Sequence, residues 1–242
     1  MNMLKVIYLH HSGFLVETEK YCLIFDYFTE NGKYDFIDIT KYASKKIVVF
    51  VSHFHHDHYD RAIFKWQSVL PQIQYVLSDD VIAPPFVKNV HKVHFDKSYT
   101  IEDIFVQTFH SNDEGVAFLT KVDGKNIYHA GDLNWWHWNG ESDKFNKGIA
   151  GMYRKEIDKM KETVLDVAFV PVDPRLEENY ILGLDYMMKT IQIKNVFPMH
   201  FWEKYSIFNT LQKDERSICY RNCVVCIHHT NETFVLTDEE AM

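Results

Sequence analysis

The chain has 242 residues, of which 46% are hydrophobic and 25% charged, and its formal net charge is −8. These values are typical of a globular protein, and we expect a single domain over residues 1–242. The acidic balance, without any cluster of Lys and Arg, argues against a nucleic-acid partner. No apolar run is long enough to span a membrane and no signal peptide is evident, so the sequence predicts a cytoplasmic protein without membrane attachment.

The first half of the chain reads as a succession of short strands. Apolar and alternating runs bounded by turn residues indicate strands at "KVIYLHH", "GFLVET", "YCLIFDYF", "KIVVFVS", "QYVLS", "HKVHF", "IFVQTF", "GVAFLTKV" and "KNIYHAG". The Asp-Gly pair in "VDGKN" predicts a hairpin between the last two of them.

Helical periodicity follows in residues 60–70, 142–164 and 180–194. In the second of these segments the predicted buried face consists of Phe145, Ile149, Met152 and Met160. Short strands follow the last two helices at "LDVAFVPV" and "NVFPMH". This pattern predicts an α/β fold in which two central sheets are covered by helices.

The four cysteines are too few and too bunched for a disulfide framework. Three of them lie in "CYRNCVVCIHH" beside two histidines, a composition that also allows a metal site. We expect "CVVCIHH" to be a strand, in which neighbouring side chains point to opposite faces, and therefore interpret these cysteines as buried structural thiols.

The stretch "VSHFHHDHYD" carries a dense group of possible metal ligands directly after the apolar run "KIVVFVS". In the pattern His-x-His-x-Asp-His, the residues His53, His55, Asp57 and His58 offer imidazole nitrogen and carboxylate oxygen, which zinc accepts at about 2 Å. Without a cation, such a cluster gains little for its desolvation cost. The spacing is compatible with two ions about 3.5 to 4 Å apart.

Further ligands are needed from elsewhere in the chain, because one short loop cannot complete two coordination shells. His110, Asp132 and His200 each lie just past the end of an apolar strand, as the histidine loop does. Scattered surface residues have no reason to share this placement, so we expect these three to join the site.

With these residues, the sequence resembles the metallo-β-lactamase superfamily, and in particular its metal-dependent hydrolases similar to L-ascorbate-6-phosphate lactonase. The phrases "LHHSGFLVE", "SHFHHDHYD", "IYHAGDLNWW" and "PMH" carry the likeness. The resemblance implies a four-layer αββα sandwich with a dinuclear metal centre at one edge of the sheets. It also implies that one ion is held by His53, His55 and His110, and the other by Asp57, His58 and His200, with Asp132 bridging them.

One position departs from the superfamily pattern. The segment "TFHSNDEGVAF" is tighter than the usual loop of the third histidine, so Asp113 is an alternative to His110, and a vacant ligand position is a third option.

Several neighbouring residues have open roles. His11 is either a plain turn residue or a contact of the site, His129 is predicted to be a core histidine, and Asp26 is predicted to orient backbone or a ligand histidine. Trp135, Trp136 and Trp138 either line a substrate pocket or plug the core below the following helix.

The predicted function is hydrolysis of a small lactone, another ester or a phosphodiester by a metal-activated hydroxide, in which Asp57, His58 and Asp132 are the catalytic residues. Zinc is the expected metal, with manganese or iron as alternatives. The rival hypotheses are a nuclease-type phosphodiesterase of the same superfamily and a non-catalytic metal-binding protein. The partner is predicted to be a small-molecule substrate, and the aromatic content is compatible with a homo-oligomer.

Overall fold

The computed structural model describes residues 3–237 of the chain. These residues divide into two compact units, each built around one sheet. The first unit consists of residues 3–94 together with residues 229–237, and the second unit of Phe95–His228. Within residues 3–237, no helix is both long and apolar enough to cross a membrane.

The first unit contains a seven-stranded sheet with the order β13-β1-β2-β3-β4-β5-β6. Its strands are β1 Leu4–His10, β2 Gly13–Glu17, β3 Tyr21–Phe25, β4 Lys46–Val51, β5 Gln74–Ser78, β6 Val90–Val93 and β13 Glu232–Leu236. The strands from β3 to β6 pair in parallel, whereas β13, β1, β2 and β3 pair antiparallel. The strand β13 has no counterpart among the predicted elements.

Strand β4 has the continuous apolar sequence of a strand that is covered on both faces, and all of its residues after Lys46 are buried. The predicted helix that follows the histidine loop is a 3-10 helix, Arg61–Ser68, which begins where the side chain of Asp60 accepts a hydrogen bond from the backbone N–H of Ala62. Its apolar side chains Ile63 and Phe64 are buried in the core of this unit.

The second unit contains a six-stranded sheet with the order β12-β11-β10-β9-β8-β7. Its strands are β7 Ser98–Ile101, β8 Ile104–His110, β9 Val116–Val122, β10 Lys125–His129, β11 Val164–Pro171 and β12 Gln192–Met199. Its helices are α1 Asp143–Asp158, α2 Leu182–Thr190 and α3 Ser206–Lys213. Strands β10, β11 and β12 pair in parallel, so their carboxyl ends lie at one edge.

The predicted buried face of residues 142–164 is wrong at two of its four positions, whereas Met160 is buried as predicted and Ile149 is partly buried. Phe145 and Met152 are 43% and 42% exposed, and the helix buries Ala150, Tyr153 and Ile157 instead. The hydroxyl of Tyr153 donates a hydrogen bond to the carbonyl of Gly183, at 2.8 Å. We infer that the contact between Tyr153 and Gly183, and not the size of the apolar side chains, decides which face of α1 is buried.

The prediction of a strand at "CVVCIHH" is also wrong. Arg221–Cys223 form a 3-10 helix, and the only pairing in this segment, within the described residues, is an isolated bridge between Val224 and Val196. The interpretation as buried thiols is also wrong, because Cys219 is exposed and Cys223 and Cys226 are only partly buried.

Candidate metal centre

In the first unit, the carboxyl ends of β3 and β4 bring Asp26 and Ser52 together. The two strands pair in parallel from Tyr21 opposite Lys46 to Phe25 opposite Phe50, so the residues that follow them emerge at the same edge. Asp26 has a φ of 43°, and its backbone N–H donates to the carbonyl of Phe50 at 3.0 Å. This bond turns the carboxylate of Asp26 toward the start of the histidine loop.

Asp26 is fully buried and organises that loop through three contacts. Its Oδ1 accepts from the backbone N–H of Ser52 at 2.8 Å, and its Oδ2 accepts from the Ser52 hydroxyl at 2.6 Å. Nδ1 of His58 lies 2.7 Å from the same Oδ2. The sequence predicted that Asp26 orients either backbone or a histidine, and these contacts involve both. Nε2 of His58 is the ring nitrogen that can ligate a metal.

A glycine is required at position 13, next to the backbone carbonyl of Asp26. A Cβ on Gly13 would lie 2.9 Å from the carbonyl oxygens of both Asp26 and His10. The "SGF" turn between β1 and β2 can therefore approach the end of β3 only with glycine at this position.

Three residues of the first unit, His11, Asp57 and His58, each offer a ligand atom within 4.8 Å of the others. Nε2 of His11 lies 3.5 Å from Oδ2 of Asp57, and His11 has a φ of 55° at the turn after β1. His11 thus contacts the predicted ligand Asp57, which the sequence left open.

The other two histidines of the motif lie in the same loop. The ring centroids of His53 and His55 are 4.6 Å apart, and those of His53 and His58 are 4.0 Å apart. Nδ1 of His53 lies 2.9 Å from the Ser52 hydroxyl. The predicted ligands His53, His55, Asp57 and His58 are thus brought together, whereas the fourth histidine, His56, is exposed.

The charge state of Asp57 suits a ligand. Burial alone favours the neutral acid, but the hydrogen bond from His11 and the positive potential of His58 outweigh it and hold the pKa of Asp57 far below its usual range. The side chain is therefore a carboxylate at neutral pH.

In the second unit, Asp132 follows β10 in a tight turn. Gly131, at φ 52°, donates its backbone N–H to Nδ1 of His129, at 3.1 Å. His129 is fully buried, as expected for a core histidine. The carbonyl of Asp132 accepts from the indole N–H of Trp136 at 2.8 Å, which fixes the turn from its other side.

His200 follows β12 and is held by Asp173, which lies two residues past β11. Nδ1 of His200 is 2.9 Å from Oδ2 of Asp173, and Nε2 of His200 is 3.5 Å from Oδ1 of Asp132. The second unit therefore brings the predicted ligands Asp132 and His200 together. Asp173 repeats the arrangement of Asp26, in that a buried carboxylate fixes the Nδ1 side of a histidine.

Sequence reasoning missed Asp173. It is fully buried in "FVPVDPR", and the same signal that selected the other residues, a polar side chain just past an apolar strand, applies to it. Burial opposes its ionisation, but hydrogen bonds from His200 and Arg175 lower the pKa of Asp173 to about 2. The carboxylate is thus ionised wherever the protein is folded at neutral pH.

His110 is the last residue of β8, and the alternative ligand Asp113 lies in the exposed part of the following loop. The backbone N–H of His110 donates to Glu156, and its ring stacks on Phe95 at 4.1 Å between centroids. Neither His110 nor Asp113 belongs to a group of three candidate ligands within residues 3–237. The choice between them stays a prediction.

The three tryptophans after Asp132 have different surroundings. Trp135 is only partly buried, packs against Tyr153 and Tyr186, and lines a cavity together with Arg154. Trp136 and Trp138 stack nearly parallel, with centroids 6.1 Å apart, and Trp136 meets His200 edge-on at 5.5 Å. Because Trp136 contacts the candidate ligand His200 and Trp138 stacks on Trp136, we keep the hypothesis of a substrate-lining role for these two residues.

The donors in both units suit a divalent cation. Imidazole nitrogens and carboxylate oxygens, largely buried and with their second atoms held by hydrogen bonds, form the ligand chemistry of zinc and also of manganese and iron. The residues of each unit therefore fit the metal that the motif implies.

Comparison with known proteins supports this interpretation. The family model described as the beta-lactamase superfamily domain matches residues 5–140, more than half of the chain. A curated protein of Pyrococcus abyssi, named a UPF0173 metal-dependent hydrolase, is 27% identical over 222 residues, which are 82% of this chain and 85% of that protein.

Two solved structures show the same fold. A metallo hydrolase from the archaeon Ignicoccus hospitalis has a TM-score of 0.61 at 18% identity and covers 98% of this chain and 100% of its own. The metallo-beta-lactamase fold protein YhfI from Bacillus subtilis has a TM-score of 0.64 at 13% identity, with 97% and 100% covered. The predicted α/β fold class is confirmed, while the narrower lactonase-like branch stays a prediction. By its match to the family model, the chain belongs to the beta-lactamase superfamily.

Proposed function

We propose that this chain is a metal-dependent hydrolase that cleaves a small lactone, another ester or a phosphodiester. Membership of the superfamily and the similarity to a protein named a metal-dependent hydrolase support the general activity. The substrate, the presence of two ions and the identity of the metal are the finer parts of the proposal.

One observation carries the proposal. In both units a fully buried carboxylate bonds the Nδ1 side of the histidine that the motif assigns to metal, through Asp26 and His58 in one unit and through Asp173 and His200 in the other. A carboxylate in this position fixes the ring orientation and raises the basicity of the ligating nitrogen. A histidine that served only packing has no need for a buried anion behind it.

The proposal keeps the ligand assignment that the motif order implies, including the bridging role of Asp132. When bound, divalent cations supply Lewis acidity and lower the pKa of a water that acts as nucleophile. Asp57, which is ionised at neutral pH, can accept a hydrogen bond from that water and orient it. His58 keeps its orientation through Asp26. Because water is the nucleophile, the site needs no serine or cysteine nucleophile.

The test combines metal content with turnover. Protein purified without added metal is analysed for zinc, manganese and iron, and is then assayed on a panel of lactones, aryl esters and bis-aryl phosphodiesters. The variants His58→Ala and Asp132→Ala are expected to lose bound metal and hydrolysis together. His56→Ala is the matched control, because His56 lies in the same loop but is exposed and outside the motif.

Two outcomes would contradict the proposal. Full hydrolysis by metal-free protein would exclude a metal-dependent reaction, and stoichiometric metal without turnover of any substrate on the panel would favour the non-catalytic alternative. Binding of RNA that weakens steeply with salt would favour the nuclease alternative.

A further inference from the structure

Arg175 lies close to two indole rings in the second unit. Its guanidinium carbon is 4.9 Å from the ring centroid of Trp202 and 5.7 Å from that of Trp138. Trp202 meets the ring of His200 edge-on, with centroids 5.5 Å apart. The side chain of Arg175 is 45% exposed, so a cation close to two aromatic rings faces solvent beside a proposed metal ligand.

The hydrogen bonds of Arg175 occupy only one edge of its guanidinium. Nε lies 3.0 and 2.9 Å from the two oxygens of Asp173, and Nη2 lies 2.6 Å from Oδ2. A guanidinium has five N–H donors arranged in two bidentate edges. The edge formed by Nη1 and the second N–H of Nη2 has no recorded partner within the described residues, and it can take a second oxyanion.

Backbone strain at the neighbouring loop indicates a functional role. His200, Trp202 and Glu203 have φ angles of 63°, 52° and 54°, a left-handed conformation that bulky residues rarely adopt. Such residues persist only where the surroundings hold them, and they cluster at ligand-binding sites. Here the indole N–H of Trp202 donates to Asp173 at 3.3 Å, which places the indole against Arg175.

Nearby acidic side chains have partners of their own. The carboxylates of Glu177 and Glu178 accept hydrogen bonds from the side-chain amide of Asn139, at 2.8 and 3.2 Å. The charge of Asp173 is shared between His200 and Arg175. Within the described residues, none of these carboxylates bonds the outer edge of Arg175, so its two N–H groups are available to a ligand.

We propose that the outer edge of Arg175 binds an anionic group of the substrate, a carboxylate or a phosphate, while the scissile ester lies at the metal site. This inference rests on the proposed function and names its substrate class as small esters that carry a negative charge. Arg175 and His200 bond the same oxygen of Asp173, so anchor and metal ligand are separated by one carboxylate, a span that a small molecule can bridge.

The test uses two esters of equal length and the same leaving group, 4-nitrophenyl butyrate and mono-4-nitrophenyl succinate. In Arg175→Gln, the KM for the succinate ester is expected to rise about tenfold to a hundredfold, the loss of a charge-assisted bidentate contact. The KM for the butyrate ester, which carries no negative group, is expected to rise much less, and it measures any effect that Arg175→Gln has through Asp173 and His200. Arg175→Lys, which keeps the charge but loses the fork, is expected to fall between wild type and Arg175→Gln.

Equal effects on both esters would overturn the proposal, because Arg175 would then act only by positioning His200 through Asp173. A measurement without turnover separates this failure from failure of the proposed function. Succinate and inorganic phosphate are titrated against the tryptophan fluorescence of the metal-loaded protein. Saturable binding that is lost in Arg175→Gln supports the anion site even if no ester is hydrolysed, whereas binding that Arg175→Gln leaves intact excludes the site. Whichever of succinate and phosphate binds more tightly indicates whether the site prefers a carboxylate or a phosphate.

Discussion

Oδ2 of Asp26 lies 2.7 Å from Nδ1 of His58, and both side chains are fully buried. The same contact, at the same 2.7 Å, joins Asp79 to His94, where the side chains are 51% and 60% exposed. The two contacts have the same length, but only the pair of Asp26 and His58 is shielded from water. Only the buried pair can exert strong control over a ring, because water competes for the exposed one.

Asp26→Asn is expected to weaken metal binding by about tenfold to a hundredfold, since the amide removes the charge that holds His58. The measurement is competition for zinc against a chromogenic chelator. Asp79→Asn is the control and should leave the affinity unchanged. An equal loss in both variants would show that the affinity follows net charge and not the buried contact.

Removal of metal is expected to destabilise the protein, because a ligand that binds only the folded state stabilises it by an amount that grows with the logarithm of the ratio of its free concentration to Kd. At a free concentration of about 100 times Kd the contribution is about 2.7 kcal/mol, and in a chain of this size each kcal/mol shifts Tm by about 2–4 °C. A chelator should therefore lower Tm by several degrees, reversibly on addition of zinc. His58→Ala should start at a lower Tm and respond less to the chelator than wild type, and a response equal to wild type would remove His58 from the ligand set.

Much of the site could be predicted from the sequence, because strand ends are visible as the ends of apolar runs. Ser52 ends the run "KIVVFVS", and His53 to His58 follow it at the edge where Asp26 also emerges. Asp173 lies after a strand in the same way, but a single Asp before Pro is also an ordinary turn residue. Its role depends on His200, 27 residues away, and no local pattern reveals that contact.

The elements that could not be predicted depend on distant partners. Strand β13 pairs with β1, at the opposite end of the chain, and its alternating burial is too short a signal by itself. The face of α1 is set by the bond from Tyr153 to Gly183. Periodicity describes a helix in isolation, whereas these features are decided by tertiary contacts.

Gly183 has no room for a side chain. An added Cβ would lie 2.1 Å from Oδ1 of Asn134, which is buried two residues after Asp132. Gly183→Ala is therefore expected to lower the free energy of unfolding by about 1–3 kcal/mol, the usual cost of overpacking. Denaturant unfolding gives the value.

The control for this substitution is Gly148→Ala in α1, where nothing lies within 4 Å of the added Cβ. It should stabilise the protein by up to about 1 kcal/mol through helix propensity. Adding Asn134→Ala to Gly183→Ala should recover part of the loss, because it removes the group that the new methyl meets. Strictly additive effects would show that Asn134 is not the obstacle.

Asp214 contributes a pH-dependent part of the stability. Hydrogen bonds from Arg216 outweigh desolvation and lower the pKa of Asp214 to about 2. Because the pKa in the unfolded chain is about 3.9, the stabilising contribution is complete above that pH and is lost as the pH falls toward 2. Urea unfolding of Asp214→Asn should therefore depend less on pH between about 4 and 2 than that of wild type. Parallel pH profiles for the two proteins would contradict the assignment.

His110 and Asp113 are rival candidates for the remaining ligand, and their surroundings lead to different expectations. His110 is half-buried at the end of β8, its ring is stacked on Phe95, and its backbone is fixed by Glu156, so its position is well defined. Asp113 is exposed in the loop after β8, where water competes with an ion for its carboxylate. We therefore expect His110→Ala to lower the metal content of the purified protein by about one ion of a dinuclear centre, and Asp113→Ala to leave it unchanged. Metal analysis of the two variants beside wild type decides between them: loss in Asp113→Ala alone would transfer the ligand role to the carboxylate, and full metal in both would mean that this ligand position is vacant.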